Sequence, residues 1–358
     1  MRCPGRSAGT RQHCQLLMKP RAVSGTGGAR RPPPDGDGVP WPDRWPTGQR
    51  YLIGVSGGMD SVVLLHTLVS AGYQKLVVCH LDHGLRGRTS TADARWVARL
   101  AAGLQLPCLT GKRDLRAEAG AAGISLETAG RRARHQFFAE GAKQHRCHRV
   151  FLAHHADDQA ETVLMNLCRG SAGLVGMAEE TRLTVPGFRT PLQLIRPLLT
   201  RSKADLLAAA GANGWTFRED ASNAVPDVIR NRLRLEVLPL LDAIFQRSTA
   251  PAMGRAAAWA ESARGFLEQS AASWIPQEKL RVAELIKLHP VLRDTVLAGW
   301  LRARKVPDVS SALLRQATLM LDPATGPARW NLPGNHFLRR RAGWLWVERV
   351  PPCGPGPD

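Results

Sequence analysis

The stretch Tyr51-Leu52-Ile53-Gly54-Val55-Ser56-Gly57-Gly58-Met59-Asp60-Ser61-Val62-Val63-Leu64-Leu65 sets an apolar run, three small residues and a second apolar pattern in direct succession. Leu52–Val55 reads as a buried strand, and Val62–Leu68 as a helix with an apolar face. Between them Ser56, Gly57 and Gly58 carry little or no side chain, so backbone N–H groups can approach an anion closely. The helix that follows aims its free first-turn amides and its positive dipole end at the same point. Asp60 would repel a phosphate there unless a divalent cation bridges the two, which makes it a candidate Mg²⁺ holder. An ordinary strand-to-helix turn with Asp60 or Ser61 as N-cap is the plainer alternative. The loop lacks the lysine of a Walker A motif and the three spaced glycines of a dinucleotide fold.

Outward from this stretch, short apolar runs alternate with helical patterns, as in βαβ units around a parallel sheet. The runs are Tyr51–Val55, Lys75–Leu81, Pro107–Thr110, Arg149–Ala153 and Leu192–Leu199. Helices are expected over Ser61–Ser70, Thr91–Leu104, Leu126–Gln144, Asp157–Cys168 and Lys203–Ala210, with a more irregular connection after Gly170. Residues 250–322 are Ala- and Leu-rich with helical periodicity, and Trp330–Leu332, His336–Leu338 and Trp344–Val347 read as short strands. The expected organisation is a leader over 1–47, an α/β domain over 48–243, a smaller and mostly helical domain over 250–348, and a disordered tail over 349–358.

The chain carries a net charge of +19, and residues 1–50 hold nine Lys/Arg against three Asp, so about +13 belongs to the body. A basic folded body favours a polyanionic partner, of which nucleic acid is the commonest. Seven scattered cysteines with no C-x-x-C pair suit reduced thiols in a cytoplasmic setting, not a disulfide framework or zinc ribbon. No apolar run approaches the roughly 20 residues that span a bilayer.

Polar clusters end the second and fourth runs. His80-Leu81-Asp82-His83-Gly84-Leu85-Arg86 and His154-His155-Ala156-Asp157-Asp158-Gln159-Ala160-Glu161-Thr162 should converge on the carboxyl edge of the sheet, where α/β enzymes place their sites. As metal ligands they would suggest a dinuclear phosphoesterase; as local structure, Asp158 and Glu161 would cap a helix. Arg131 and Arg134 share a helix face within Glu127–Arg134. Arg196–Arg201, Glu219–Asn223 and the stripe Arg230-Asn231-Arg232-Leu233-Arg234 follow, the last readable as a surface helix or an RNA contact.

In this order the strings resemble the tRNA(Ile)-lysidine synthetases of the PP-loop ATP pyrophosphatase superfamily, over about residues 50–242. The resemblance implies a PP-loop (adenine nucleotide alpha hydrolase-like) domain followed by a smaller helical one, without the further C-terminal domain of longer members. It implies ATP and Mg²⁺ as cofactors, and L-lysine and the CAU-anticodon isoleucine tRNA as partners. ATP adenylates the wobble cytosine 2-carbonyl oxygen, and the lysine ε-amine then displaces AMP. Ser56, Gly57, Gly58, Met59, Asp60 and Ser61 would hold ATP. Asp60, Arg131, Arg134, His154, Asp158 and Glu161 would carry catalysis, with Asp158 or Glu161 binding or deprotonating the lysine ammonium. His80, Asp82, His83, Arg201, Arg230, Asn231 and Arg234 would contact substrate or tRNA. A homodimer is one assembly left open.

His135 stands where the family often has tyrosine, and Gly130 is unusual in a helix interior, costing about 1 kcal/mol relative to alanine. The rivals are a PP-loop 2-thiocytidine sulfurtransferase, which the scattered cysteines disfavour, and a tRNA-binding module with a dead nucleotide site.

Overall fold

A computed structural model describes residues 44–84, 88–171, 173–218 and 229–349. Residues 1–43, Arg86, Glu219–Asn223 and most of the expected tail lie outside the described residues.

The first part is an α/β unit. Its elements are β1 (Tyr51–Gly54), α1 (Met59–Ser70), β2 (Leu76–Asp82), α2 (Arg88–Gly103), β3 (Cys108–Lys112), α3 (Leu115–Ala122), α4 (Leu126–His145), β4 (Arg149–Phe151), α5 (Ala156–Cys168), β5 (Glu180–Leu183), β6 (Leu192–Ile195) and α6 (Lys203–Asn213). The sheet order is β3-β2-β1-β4-β6-β5, parallel except for β5, which runs antiparallel to β6. Chain order reverses between β1 and β4, so the crevice beyond their carboxyl ends is the natural place for a ligand.

Period-two alternation in each strand builds two cores. Tyr51, Ile53, Val78, Phe151 and Ile195 point to one face, packed on α1 and α2. Leu52, Val77, Cys79, Val150 and Leu194 point to the other, against Phe137 and Phe138 of α4. Both faces are covered, which is why the strands read as continuous apolar runs.

The parallel α/β architecture expected from the sequence is the one observed, with three differences. Strand β5 falls in the stretch expected as irregular connection; its sequence, Glu-Thr-Arg-Leu, is too polar to stand out, and it is an edge strand paired only to β6. Helix α3 is an element the periodicity does not announce, and it explains Gly130: a Cβ there would lie 3.2 Å from Leu115 Cδ1, so the glycine lets α3 pack on α4. Trp45, within the expected leader, is buried beside Phe151, and its indole N–H donates to Glu180 at 2.8 Å.

The chain continues through α7 (Ile229–Arg232), a π-helical turn (Leu233–Val237), α8 (Leu238–Phe245) and α9 (Ala250–Ala271). The small residues of α9 allow close packing on α5, with Ala250 and Leu238 joining Ala160 in one cluster. Beyond it come β7 (Leu280–Arg281), α10 (Val282–Lys287), α11 (Pro290–Ala303), α12 (Ser311–Leu319), β8 (Arg329–Leu332), β9 (His336–Arg341) and β10 (Trp344–Arg349). The four strands form an antiparallel sheet ordered β7-β10-β9-β8. One face packs Leu280, Leu338 and Leu345 on Trp300 and Leu301 of α11. Among the described residues no helix is long and apolar enough to cross a membrane.

Candidate active site

The loop after β1 is braced from within. Ser61 Oγ donates to the Gly58 carbonyl at 2.9 Å, lies 3.2 Å from Ser56 Oγ and accepts from the Ser56 amide at 3.2 Å. Gly57 sits at φ +96°, a region side chains avoid, and its carbonyl accepts from the Arg218 amide at 3.0 Å. Gly58 is the N-cap of α1 and offers no side chain, so the first-turn amides are left for an external acceptor. Met59, the first residue of α1, is buried in the core, so its side chain anchors the loop.

Asp60 opens α1. Its Oδ2 is 3.7 Å from His155 Nε2, whereas its Oδ1 is buried without a partner. A buried carboxylate oxygen left unpaired is costly, and a cation is the obvious complement. Among the described residues no group of three His, Cys, Asp or Glu could hold a metal. One carboxylate with phosphate oxygens nonetheless suits magnesium, which keeps several waters and needs few protein ligands. The residues therefore fit the ion expected from the sequence.

The loop opens on a cavity of about 270 Å³ at the carboxyl ends of β1, β2 and β4. Its floor is apolar, formed by Phe137, Phe138 and Leu152, and its polar rim is Ser56, Asp60, His83, Arg134 and His154. Gly54 keeps the floor open, because a Cβ there would lie 2.9 Å from Phe138 Cζ. Arg134 is hemmed in by protein yet retains accessible surface, since its side chain faces the cavity. Burial, then the charges of Arg131 and Arg230, lower its titration. Arg196 is buried, donates to the Ala178 carbonyl at 2.7 Å and is lowered to about 10 by burial and then Arg131. Arginines crowded together in this way anticipate an anion.

The same crowding keeps nearby imidazoles neutral. His154 is held down at about 3 by burial and the charges of Arg196 and Arg134, which outweigh the opposing pull of Asp158. His83 is lowered to about 4, by burial and then Arg134. The Nδ1 atoms of both rings are buried and unpartnered. Burial and the surrounding arginines therefore favour the neutral form of His154, which can still hydrogen-bond.

His155, given no role from sequence, is the N-cap of α5. Its amide donates to Asp158 Oδ2 at 3.1 Å, and its Nε2 is 3.4 Å from the same oxygen. Burial alone would lower this imidazole, but the carboxylates of Asp157, Asp60 and Asp158 gathered around it push it up to about 10. Its Nδ1 lies 3.3 Å from both the amide nitrogen and the carboxylate of Asp157. The three surrounding carboxylates favour the protonated ring, in which Nδ1 donates to the carboxylate. The one signal in the sequence was the acidic residue three positions beyond His155, a capping-box spacing.

Arg230 and Arg234 point inward: Arg230 Nε donates to Glu161 Oε2 and Arg234 Nε to Glu161 Oε1, each at 2.6 Å. Their Nη2 atoms reach Asp158 Oδ1 at 3.4 and 3.1 Å. Glu161 is fully buried and engaged on both oxygens, so it is not presented to a lysine ammonium. Asp158 keeps 13% exposure and is the carboxylate of the two nearer solvent.

His80 is buried, with Nδ1 2.9 Å from the Val55 carbonyl, and braces β2 against the loop; Asp82 accepts from the Gly84 amide at 2.8 Å and shapes the turn after β2. Neither faces the cavity. The Arg201 carbonyl accepts from the Ala156 amide at 2.8 Å and so fixes the start of α5. Asn231 lies half-buried on α7, and Arg131 is exposed on α4 one turn before Arg134.

Residues 42–241 match the PP-loop domain, and residues 280–346 the TilS substrate binding domain. The chain belongs to the PP-loop family. Its relatives include tRNA(Ile)-lysidine synthases. That of Solibacter usitatus is 40% identical over 221 residues, 62% of this chain and 47% of that protein. That of Thermus thermophilus is 35% identical over 312 residues, 84% of this chain and 57% of that protein. That of Bacillus subtilis is 40% identical over 198 residues, 54% of this chain and 41% of that protein. The chain thus spans about half the length of the curated relatives it matches.

Proposed function

We propose that the protein is an ATP-dependent tRNA(Ile)-lysidine synthase, joining L-lysine to the wobble cytidine of the CAU-anticodon isoleucine tRNA. The observation that carries this reading is the orphaned Asp60 Oδ1 beside a glycine loop, on a cavity rimmed by Arg134. The lysidine synthase names of the relatives, 35–40% identical, support the choice of substrate.

The first step forms a bond between the cytosine 2-carbonyl oxygen and the α-phosphorus of ATP, and pyrophosphate leaves. The free first-turn amides of Met59 to Ser61 receive the pyrophosphate, and Arg134, with Arg131 behind it, offsets charge on the α-phosphate. Magnesium held by Asp60 would neutralise phosphate charge. His155 holds Asp60 in place and connects it to Asp158.

In the second step the lysine ε-amine attacks the cytosine 2-carbon, AMP departs with the former carbonyl oxygen, and the attacking nitrogen releases protons. Asp158 is the residue assigned to the ammonium, which must lose a proton before it attacks. Glu161 has a supporting role and keeps Arg230 and Arg234 in register. Neutral His154 and His83 orient the base by hydrogen bonds.

The test is to incubate the protein with ATP, Mg²⁺, labelled L-lysine and unmodified isoleucine CAU tRNA. Label on the wobble cytidine, with AMP and pyrophosphate released in equal amount, is the expected result. Folded protein that transfers no label would overturn the reading.

A further inference from the structure

The antiparallel sheet has a second face that the core does not use. Cross-strand register puts Arg281, Trp344 and Arg341 in one row, and Arg329, Arg339 and Trp346 in the next. Asn331, Phe337 and Glu348 form the third row. These rows alternate with those of Leu280, Leu338 and Leu345, which face the core, so the named side chains all stand on the opposite face.

Composition and geometry mark this face as unusual. Arg281, Arg329 and Arg341 are exposed, while Trp344, Trp346 and Phe337 are half-buried. Glu348 is the one acid in these rows and is paired with Arg339. Cations lie over the rings: Arg281 is 4.7 Å from the Trp344 centroid, Lys279 5.5 Å from Trp346, and Arg329 3.8 Å from Phe337. Arg340, on the core-facing side, is instead tied to the Gly326 carbonyl at 2.9 Å.

A patch that served only solubility would not need three aromatic rings. A surface for an acidic protein would need cations but not flat stacking planes. Rings and guanidinium planes interleaved on a sheet suit unstacked bases, with the remaining arginine charge meeting phosphates. A duplex hides its base faces and would engage the charges alone.

We infer that the outer face of this sheet, centred on Arg281, Trp344 and Trp346, binds a single-stranded segment of RNA by stacking. The inference rests on the tRNA reading and narrows it to an unpaired part of the substrate, bound away from the cavity.

The test uses the full chain without ATP or lysine. A fluorescein-labelled single-stranded oligoribonucleotide and a blunt RNA duplex of the same composition are titrated separately. The single strand should bind more tightly than the duplex. Trp344→Ala should weaken single-strand binding about tenfold and leave duplex binding unchanged, whereas Trp344→Phe should bind like the unaltered protein. Joint replacement Arg281→Ala and Arg341→Ala should lower the salt slope of single-strand binding by about 0.7 for each phosphate no longer neutralised.

Equal affinity for strand and duplex, or unaltered binding by folded Trp344→Ala, would overturn the inference. If Trp344→Ala unfolds, the arginine pair decides: an unchanged salt slope rejects the platform. Lysine transfer by the unaltered protein is read separately. Transfer with no effect of these variants on strand binding rejects the platform alone, and a sensitive platform without transfer rejects the enzyme reading alone.

Discussion

Glu161 Oε1 accepts a 2.6 Å hydrogen bond from Nε of Arg234, 73 residues further along the chain, and the carboxylate is fully buried. The same carboxylate holds Arg230 through its other oxygen, so one acid pins one arginine on α7 and one in the π-helical turn. Glu161→Gln removes the charge while keeping the volume and leaves two partly buried guanidinium groups competing for one amide oxygen. Loss of one partner of a buried pair costs about 3 kcal/mol, taken at the low end because the arginines keep water contact. Urea unfolding should show this as a lower midpoint. An unchanged midpoint would mean that the arginines find another acceptor.

Asp60→Asn should remove the cation-holding charge without altering the fold. The expected result is a fall of at least about a hundredfold in AMP release, the scale of losing one electrostatic stabiliser of a transition state. Binding of tRNA, followed by filter retention, should persist. If binding is lost together with AMP release, Asp60 is a structural cap.

Gly57→Ala tests the loop geometry. At φ +96° a side chain adds strain of about 1–2 kcal/mol, although the new Cβ would make only ordinary contact with Val97 Cγ2, at 3.4 Å. The loop should shift to relieve it. ATP-dependent pyrophosphate release is expected to fall at least about tenfold while the circular dichroism spectrum stays that of the unaltered protein; normal release would show that the loop tolerates the shift.

The neutral imidazoles have a consequence for acid stability. His83 and His135 sit at about 4 and His154 at about 3, lowered in each case first by burial, against an ordinary value of 6.5. The unfolded chain therefore takes up more protons as pH falls through 6.5, and stability declines from there toward pH 4. Folded-state values of Asp157 and Asp158 are lowered from an ordinary 3.8, so their loss comes further into acid. Urea midpoints at about pH 7.5 and pH 5 should differ, and His135→Gln should narrow the gap. A flat profile between these values would show that the rings are protonated in the folded protein.

Much of the α/β unit could be read from the chain because apolar runs of four to seven residues, such as Tyr51–Gly54 and Leu76–Asp82, are buried on both faces. Strand β5 and helix α3 could not, since neither has an apolar period of its own and both are held by neighbours: β5 by β6, α3 by the groove at Gly130. Arg230 and Arg234 illustrate the same limit at the site. An i, i+4 pair of arginines looks identical in sequence whether it faces RNA or a buried acid, and only the position of α5 settles which.

The loop from Ser56 to Ser61 and the alternation of strands and helices around it follow from the sequence alone. Glycine torsion, helix-start amides and strand periodicity are local properties of a few adjacent residues. Which polar side chains are free to act depends on the folded arrangement. Burial of Glu161 between two arginines, the engagement of His80 with the Val55 carbonyl, and the carboxylates gathered around His155 all arise between residues distant in the chain. Charge and hydrogen-bond state depend on those neighbours, and a one-dimensional pattern does not contain them.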